Sequence, residues 1–310
     1  MALTVVGSIA FDSVRTPFGE RDRMLGGSAV HFALAASFFT DVRVVGPVGD
    51  DFGDEHLAVL EGRGVITDDI EHVAGGKTFF WKAHYEYDMN LAHTEDTQLN
   101  VFGEFDPKLS DASRQSEMLF LGNIQPDLQR RVRGECTGAR FAALDSMNLW
   151  IENERDSLVA AIGETDCVLL NDAEVRMLTG EPNLARAARA LMEMGPSVVV
   201  AKRGEYGAAL FADDGFFAIP GYLLEDVRDP TGAGDSFAGG FLGYLDKRRA
   251  EGASPLDGAV LRQAMAYGSV LASFNVEDFG TERVSRLTSD EIDERLRELR
   301  RLTEFEVEPV

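Results

Sequence analysis

Asp229-Pro230-Thr231-Gly232-Ala233-Gly234-Asp235-Ser236-Phe237-Ala238-Gly239-Gly240 is the most informative stretch of this 310-residue chain. A small-residue turn opens directly into an apolar segment, and the pattern predicts a helix over Asp235–Arg248. The backbone N–H groups of Gly232, Ala233 and Gly234 then crowd its N-terminus. Amides there lack intrahelical acceptors, and the helix dipole adds roughly half a positive charge. Phosphate or another developing anion suits such a place. Asp235 follows in the first turn, where a carboxylate can take a proton from a nucleophile attacking that phosphate. A base beside an anion hole is what phosphoryl transfer needs. A tight turn whose glycines serve packing, with Asp235 as a favourable N-terminal charge, would use the same residues.

Outward from this stretch, apolar strands alternate with amphipathic helical patterns. Strands are expected at Leu3–Ile9, Val42–Val48, Met118–Leu121, Phe141–Leu144, Cys167–Leu170 and Val198–Ala201. Helices are expected near Ser28–Phe39, Phe52–Glu61, Asp127–Glu135, Glu154–Ile162, Asn183–Met194 and Gln263–Gly280. This order argues for βα units and a mostly parallel sheet with helices on both faces. The apolar, β-branched strands fit a sheet buried on both sides.

One region breaks the alternation. Thr78–Tyr87 has period two, with Phe79, Trp81, Ala83, Tyr85 and Tyr87 on one face. A turn at Asp88-Met89-Asn90 follows, then a strand-like stretch around Gln98–Phe102. A hairpin with an aromatic face is expected, joined by a stretch near 13–25. It either packs on the main core or forms a lid covering a substrate, and the aromatic face could also meet that of a second copy.

Hydrophobic residues make up 45% of the chain and charged residues 27%, with a net charge of −23. That acidity argues against nucleic acid and anionic membranes, which need basic patches. No apolar run approaches the roughly 20 residues of a membrane span. The two cysteines, Cys136 and Cys167, have no metal-type spacing, so reduced thiols and a cytoplasmic location are expected. A nucleotide would approach against the bulk field, so local amides and cations must offset it.

Asn171 and Glu174 follow the strand Cys167–Leu170, at a carboxyl end where open α/β sheets bind ligands. Three apart at a helix start, they can orient the waters of Mg²⁺, which keeps much of its hydration. A plain helix cap would use them equally.

Asp-Pro-Thr-Gly-Ala-Gly-Asp resembles the C-terminal signature of the ribokinase-like (PfkB) carbohydrate kinases, and other motifs follow in that family's order across nearly the whole chain. The resemblance implies one ribokinase-like α/β domain over 1–310, with a small β-sheet lid from about 13–25 and 77–103. It implies ATP as donor and Mg²⁺ held near Asn171 and Glu174, and leaves a monovalent cation open. Asp235 would be the catalytic base, with Gly232, Ala233 and Gly234 as the anion hole. Lys202-Arg203-Gly204-Glu205-Tyr206-Gly207 resembles the family's Lys-x-Gly-x-x-Gly turn against nucleotide phosphates, so Lys202, Gly204 and Gly207 join Thr231 on the nucleotide side. A β-hairpin turn is compatible with the same residues. Asn275, near the end of an apolar helix, falls where the family borders the adenine; a buried helix end explains it as well.

On the acceptor side, Asp12 resembles the aspartate that takes hydrogen bonds from substrate hydroxyls, and a carboxylate can accept two. Gly26, Gly27, Ser28 and His31 resemble the Gly-Gly substrate segment at a helix opening. Ribose-specific members carry Asn where this chain has Ala10 and His31, which turns the expectation away from ribose. A hydroxylated acceptor stays, with a sugar as the first reading and a nucleoside as its alternative; a non-catalytic sugar-binding protein on the same scaffold is the reading from another class. A homodimer through the lid is expected from the aromatic hairpin face.

Overall fold

The computed structural model describes residues 2–306; Met1 and residues 307–310 of the expected single unit lie outside the described residues. The strands are β1 (Leu3–Val6), β2 (Ala10–Thr16), β3 (Gly19–Gly26), β4 (Val42–Val48), β5 (Ile66–His72), β6 (Phe79–Tyr85), β7 (Ala92–Gln98), β8 (Met118–Leu121), β9 (Phe141–Asp145), β10 (Cys167–Asn171), β11 (Val198–Lys202), β12 (Ala208–Ala212) and β13 (Gly215–Ile219). Nine of them form one sheet in the order β13-β12-β11-β10-β9-β8-β1-β4-β5. Strands β5 to β11 in that row run parallel, while at one edge β12 turns back and pairs antiparallel with both β11 and β13.

Side chains along each strand alternate between two cores. Val198 and Val200 enter one apolar cluster and Val199 the other, so both faces are covered and the strand reads as an unbroken apolar run. In the first cluster Phe32 and Phe120 stack at 4.3 Å. The helix Ala233–Ala250 is pressed between two others, Ser28–Ala36 and Gly258–Asn275. Gly239 makes this approach possible: a Cβ there would lie 2.3 Å from the carbonyl oxygen of Phe32. Gly239, inside the opening stretch, therefore sets how closely that helix packs on Ser28–Ala36. Asp257 starts the third helix of the group by accepting from the N–H groups of Ala259 and Val260.

The four remaining strands form a second sheet, β3-β2-β6-β7, in which β2 and β6 run parallel and the outer pairs antiparallel. Its last strand differs from expectation. It runs over Ala92–Gln98, and Asn100–Glu104 is a 3₁₀ turn rather than a strand. An edge strand with nearly every residue exposed carries no alternation to read, and Asn100 stands at φ 48°, outside strand geometry.

Candidate active site

Three neighbouring parallel strands deliver side chains to one place. Asp145 ends β9, Asn171 ends β10 and Lys202 ends β11, with Asn171 and Lys202 paired in register. Carboxyl ends of parallel strands converge in this way because the crossover helices turn back just beyond them. Asn171 and Glu174 close a capping box, each side chain accepting from the other's N–H at 2.8 Å. Glu174 is nearly buried; desolvation and the Asp145 charge push it up to about 7, against Lys202.

The opening stretch arrives beside this trio. Gly232 caps the helix Ala233–Ala250 at φ 74°, a left-handed conformation that suits glycine. A Cβ on Gly232 would lie 2.4 Å from the His31 ring, so the imidazole forms the floor of the turn. The three amides expected here are not all free. Ala233 N–H donates to the Pro230 carbonyl at 3.2 Å, closing the turn, whereas among the described residues Gly232 and Gly234 N–H find no backbone acceptor. Asp229 is wholly buried and anchors the turn, accepting from Thr231 N–H at 2.9 Å and Gly280 N–H at 3.0 Å. Asp235 lies in the first helical turn, pushed up to about 7 by desolvation and then by Asp145, with Lys202 opposing.

Lys202 was expected in a glycine turn against phosphates. Its ammonium donates to Asp145 at 2.6 Å and lies 3.1 Å from where a Cβ on Gly234 would stand. The β11–β12 connection is the hairpin turn that the sequence also allowed, with Arg203 N–H donating to Gly207 O at 2.8 Å. Gly204 in that turn sits against Asn90, whose Oδ1 would be 2.1 Å from a Cβ there. Asn275 is wholly buried, and its carboxamide is engaged by His31 Nδ1 at 3.0 Å, Ser236 Oγ at 3.0 Å and the Thr231 carbonyl at 2.7 Å. It lies inside the packing of the turn rather than on an open surface.

Of the residues expected to meet an acceptor, Asp12 on β2 is 5% exposed and packs against Gly26, whose missing side chain makes room for the carboxylate. Desolvation, then Asp229, push Asp12 up to about 8, although the Gly27 amide favours its charge. Ser28 exchanges hydrogen bonds with Ser8, holding the Gly26–Gly27 segment to the end of β1. His31 is buried, and desolvation lowers it to about 4, so it is neutral at physiological pH.

Asp12 pairs with Trp81 and Val14 with Ala83 in the small sheet, so these side chains share a face. Tyr85 on the same face reaches Thr231, Oη to Oγ1 at 3.1 Å. The hairpin therefore touches the Asp229–Gly240 stretch at Tyr85 and the β11–β12 turn at Asn90. Sequence reading missed Asp145, Asp229 and the contact made by Tyr85. Asp145 ends a strand as Asn171 does, a positional signal that could have found it.

Among the described residues no cluster of three His, Cys, Asp or Glu could cage a metal directly. The donor set fits a hydrated Mg²⁺ carried on phosphates: Asp145, Glu174 and Asp235 face one cation, Lys202, and desolvation, then the Asp145 charge, raises Glu174 and Asp235.

A family model described as pfkB family carbohydrate kinase matches residues 8–287. The cytidine kinase of Thermococcus kodakarensis is 30% identical over 255 residues, 80% of this chain and 89% of that protein. The nucleoside kinase of Methanothermobacter thermautotrophicus is 28% identical over 298 residues, 90% of this chain and 91% of that one. Among solved structures, Burkholderia thailandensis nucleoside kinase in complex with inosine superposes with a TM-score of 0.77 at 21% identity, covering 96% of this chain and 97% of its own.

Proposed function

The chain belongs to the pfkB family of carbohydrate kinases, and from that premise we propose that it moves the γ-phosphoryl group of ATP to a hydroxyl of a nucleoside. As a member of that family it is a phosphotransferase acting on an alcohol. The observation that carries the chemistry is Asp235 in the first helical turn beside the unpaired N–H groups of Gly232 and Gly234. A nucleoside is favoured over a free sugar by the names of the two relatives above and by His31 and Trp81 at the acceptor side.

In this reading the acceptor hydroxyl lies between Asp12 and Asp235. Asp235 takes the proton as the hydroxyl oxygen bonds to the terminal phosphorus and the bond to the bridging oxygen breaks, releasing ADP. Gly232 and Gly234 N–H hold the charge on the transferring group. Mg²⁺, oriented through water by Asn171 and Glu174, would neutralise charge on the phosphates. Lys202 adds a fixed positive charge beneath them. The hairpin bearing Trp81 and Tyr85 excludes water that would otherwise hydrolyse ATP. A homodimer through this hairpin and a cytoplasmic site of action complete the proposal; the described residues include no helix long and apolar enough to cross a membrane.

ADP release measured across cytidine, inosine, adenosine, ribose, fructose and 2-keto-3-deoxygluconate tests it. Stimulation by a nucleoside above every sugar is expected. Stimulation by a sugar alone would replace the acceptor, and binding without turnover would refute the kinase reading.

A further inference from the structure

Asn275 joins three elements with one carboxamide. The Thr231 carbonyl can only accept, so the group 2.7 Å from it must be the Asn275 NH₂. Oδ1 therefore faces the other way, toward Ser236 Oγ and His31 Nδ1, each at 3.0 Å. An amide oxygen only accepts, so Nδ1 must carry the proton. His31 is neutral, and its second nitrogen, Nε2, is then a bare lone pair. That atom is buried and has no protein partner among the described residues. An acceptor so placed costs free energy until something donates to it.

The same ring is the floor under Gly232, and the same carboxamide pins the residue before it. Asn275 thus couples the orientation of His31 to the turn that presents the Gly232 amide. We propose that Asn275 is a positioning residue acting through His31: it fixes the Nδ1–H tautomer, so that Nε2 accepts a hydrogen bond from a hydroxyl of the acceptor substrate. The second half of this proposal rests on the nucleoside-kinase reading; the first half does not. A site built this way reads a donor at that position and disfavours an analogue that presents only an acceptor there.

Nitrogen-15 imidazole spectra of the labelled full chain test it directly. In the wild type, His31 should show a protonated Nδ1 and an unprotonated Nε2; the reverse tautomer overturns the proposal. Calorimetry establishes whether cytidine or inosine binds. With a bound nucleoside and ADP, the Nε2 resonance should move toward a hydrogen-bonded position, and an unmoved resonance at saturation refutes the substrate contact. If neither nucleoside binds, the acceptor reading fails while the tautomer result still decides the role of Asn275.

Two variants separate that role from plain packing. Asn275→Leu removes both functions of the carboxamide, so the tautomers should mix and kcat/KM should fall about fivefold to tenfold or more. Asn275→Asp keeps an accepting oxygen and should keep the Nδ1–H tautomer even where the Thr231 contact is lost. A wild-type tautomer in a folded Asn275→Leu protein, checked by thermal melting, would overturn the assignment.

Discussion

Lys202 Nζ lies 2.6 Å from Asp145 Oδ2, and both side chains are largely buried at the ends of β11 and β9, which flank β10. The pair holds a positive charge beneath Gly234 and beside Asp235. Lys202→Ala would leave Asp145 buried without its partner and is expected to destabilise the protein by about 3–5 kcal/mol. Asp145→Asn keeps a hydrogen-bond acceptor and should cost less. It also removes a charge that raises Asp235, so the acidic limb of the kcat profile should move to lower pH. Urea melts and a pH–rate series check both; an unmoved limb would remove Asp145 from the electrostatics of the base.

Asp235→Asn keeps the shape of the first turn and removes the proton acceptor. Turnover should fall by roughly 10²–10⁴, with nucleotide affinity largely retained because the Gly232 and Gly234 amides remain. Steady-state kinetics with a calorimetric nucleotide titration would show it. Nearly normal turnover would mean that another group takes the proton.

Two glycines of the same stretch should respond unequally. Gly232 combines a left-handed φ with contact on the His31 ring, so Gly232→Ala must both strain the backbone and displace the imidazole. Gly234 is helical, and an added Cβ meets only the end of Lys202. Gly234→Ala should therefore fold and bind ATP more weakly, while Gly232→Ala should lose thermal stability as well as rate. Equal melting temperatures for the two would contradict this ordering.

How much of this could be read from the chain follows from where each signal resides. The parallel sheet was legible because strands such as Val198–Ala201 are buried on both faces and print that burial as apolar runs. Asp235, Asn171 and Glu174 could be placed at helix starts because these have a local grammar of turn and cap. The contacts of Lys202 and Asn275 were not legible, because their partners, Asp145 and His31, are 57 and 244 residues away in sequence. The edge strand β7 was misplaced for a different reason, since a strand exposed on both faces carries no period at all. The hairpin's aromatic period was plain, but not that Tyr85 ends on Thr231, which depends on how two sheets meet.

Tyr85→Phe tests that meeting point. The phenol oxygen bonds Thr231 Oγ1 at 3.1 Å, and burial pushes the hydroxyl's acidity well away from the physiological range, so it stays protonated. Its loss should lower kcat/KM about twofold to tenfold without altering the melting temperature much, since the ring remains. A change confined to stability would make the contact structural rather than part of closure over the acceptor.

The last prediction concerns stability without ligands. Asp12 stands at about 8, and Asp235 and Glu174 at about 7, all above their ordinary carboxyl values. The folded protein therefore holds protons that the unfolded chain has released, and stability should fall as pH rises through this window. His31, lowered to about 4, acts in the opposite sense: the unfolded chain binds its proton below about 6.5, so its contribution is lost as pH falls. The two effects oppose each other between about 4 and 6.5, and only the carboxyl groups act above that. Urea melts at pH 6.5, 7.5 and 8.5 should thus show declining stability, part of which any chain of net charge −23 would show through general repulsion. Asp12→Asn isolates the local contribution, because it changes the net charge by one while removing the most strongly raised group. It should flatten the decline and raise stability at pH 8.5 by a few kcal/mol, on the order of 1.4 kcal/mol per unit of pKa displacement. An Asp12→Asn protein whose pH dependence parallels the wild type would show that burial does not raise this carboxyl in the folded state.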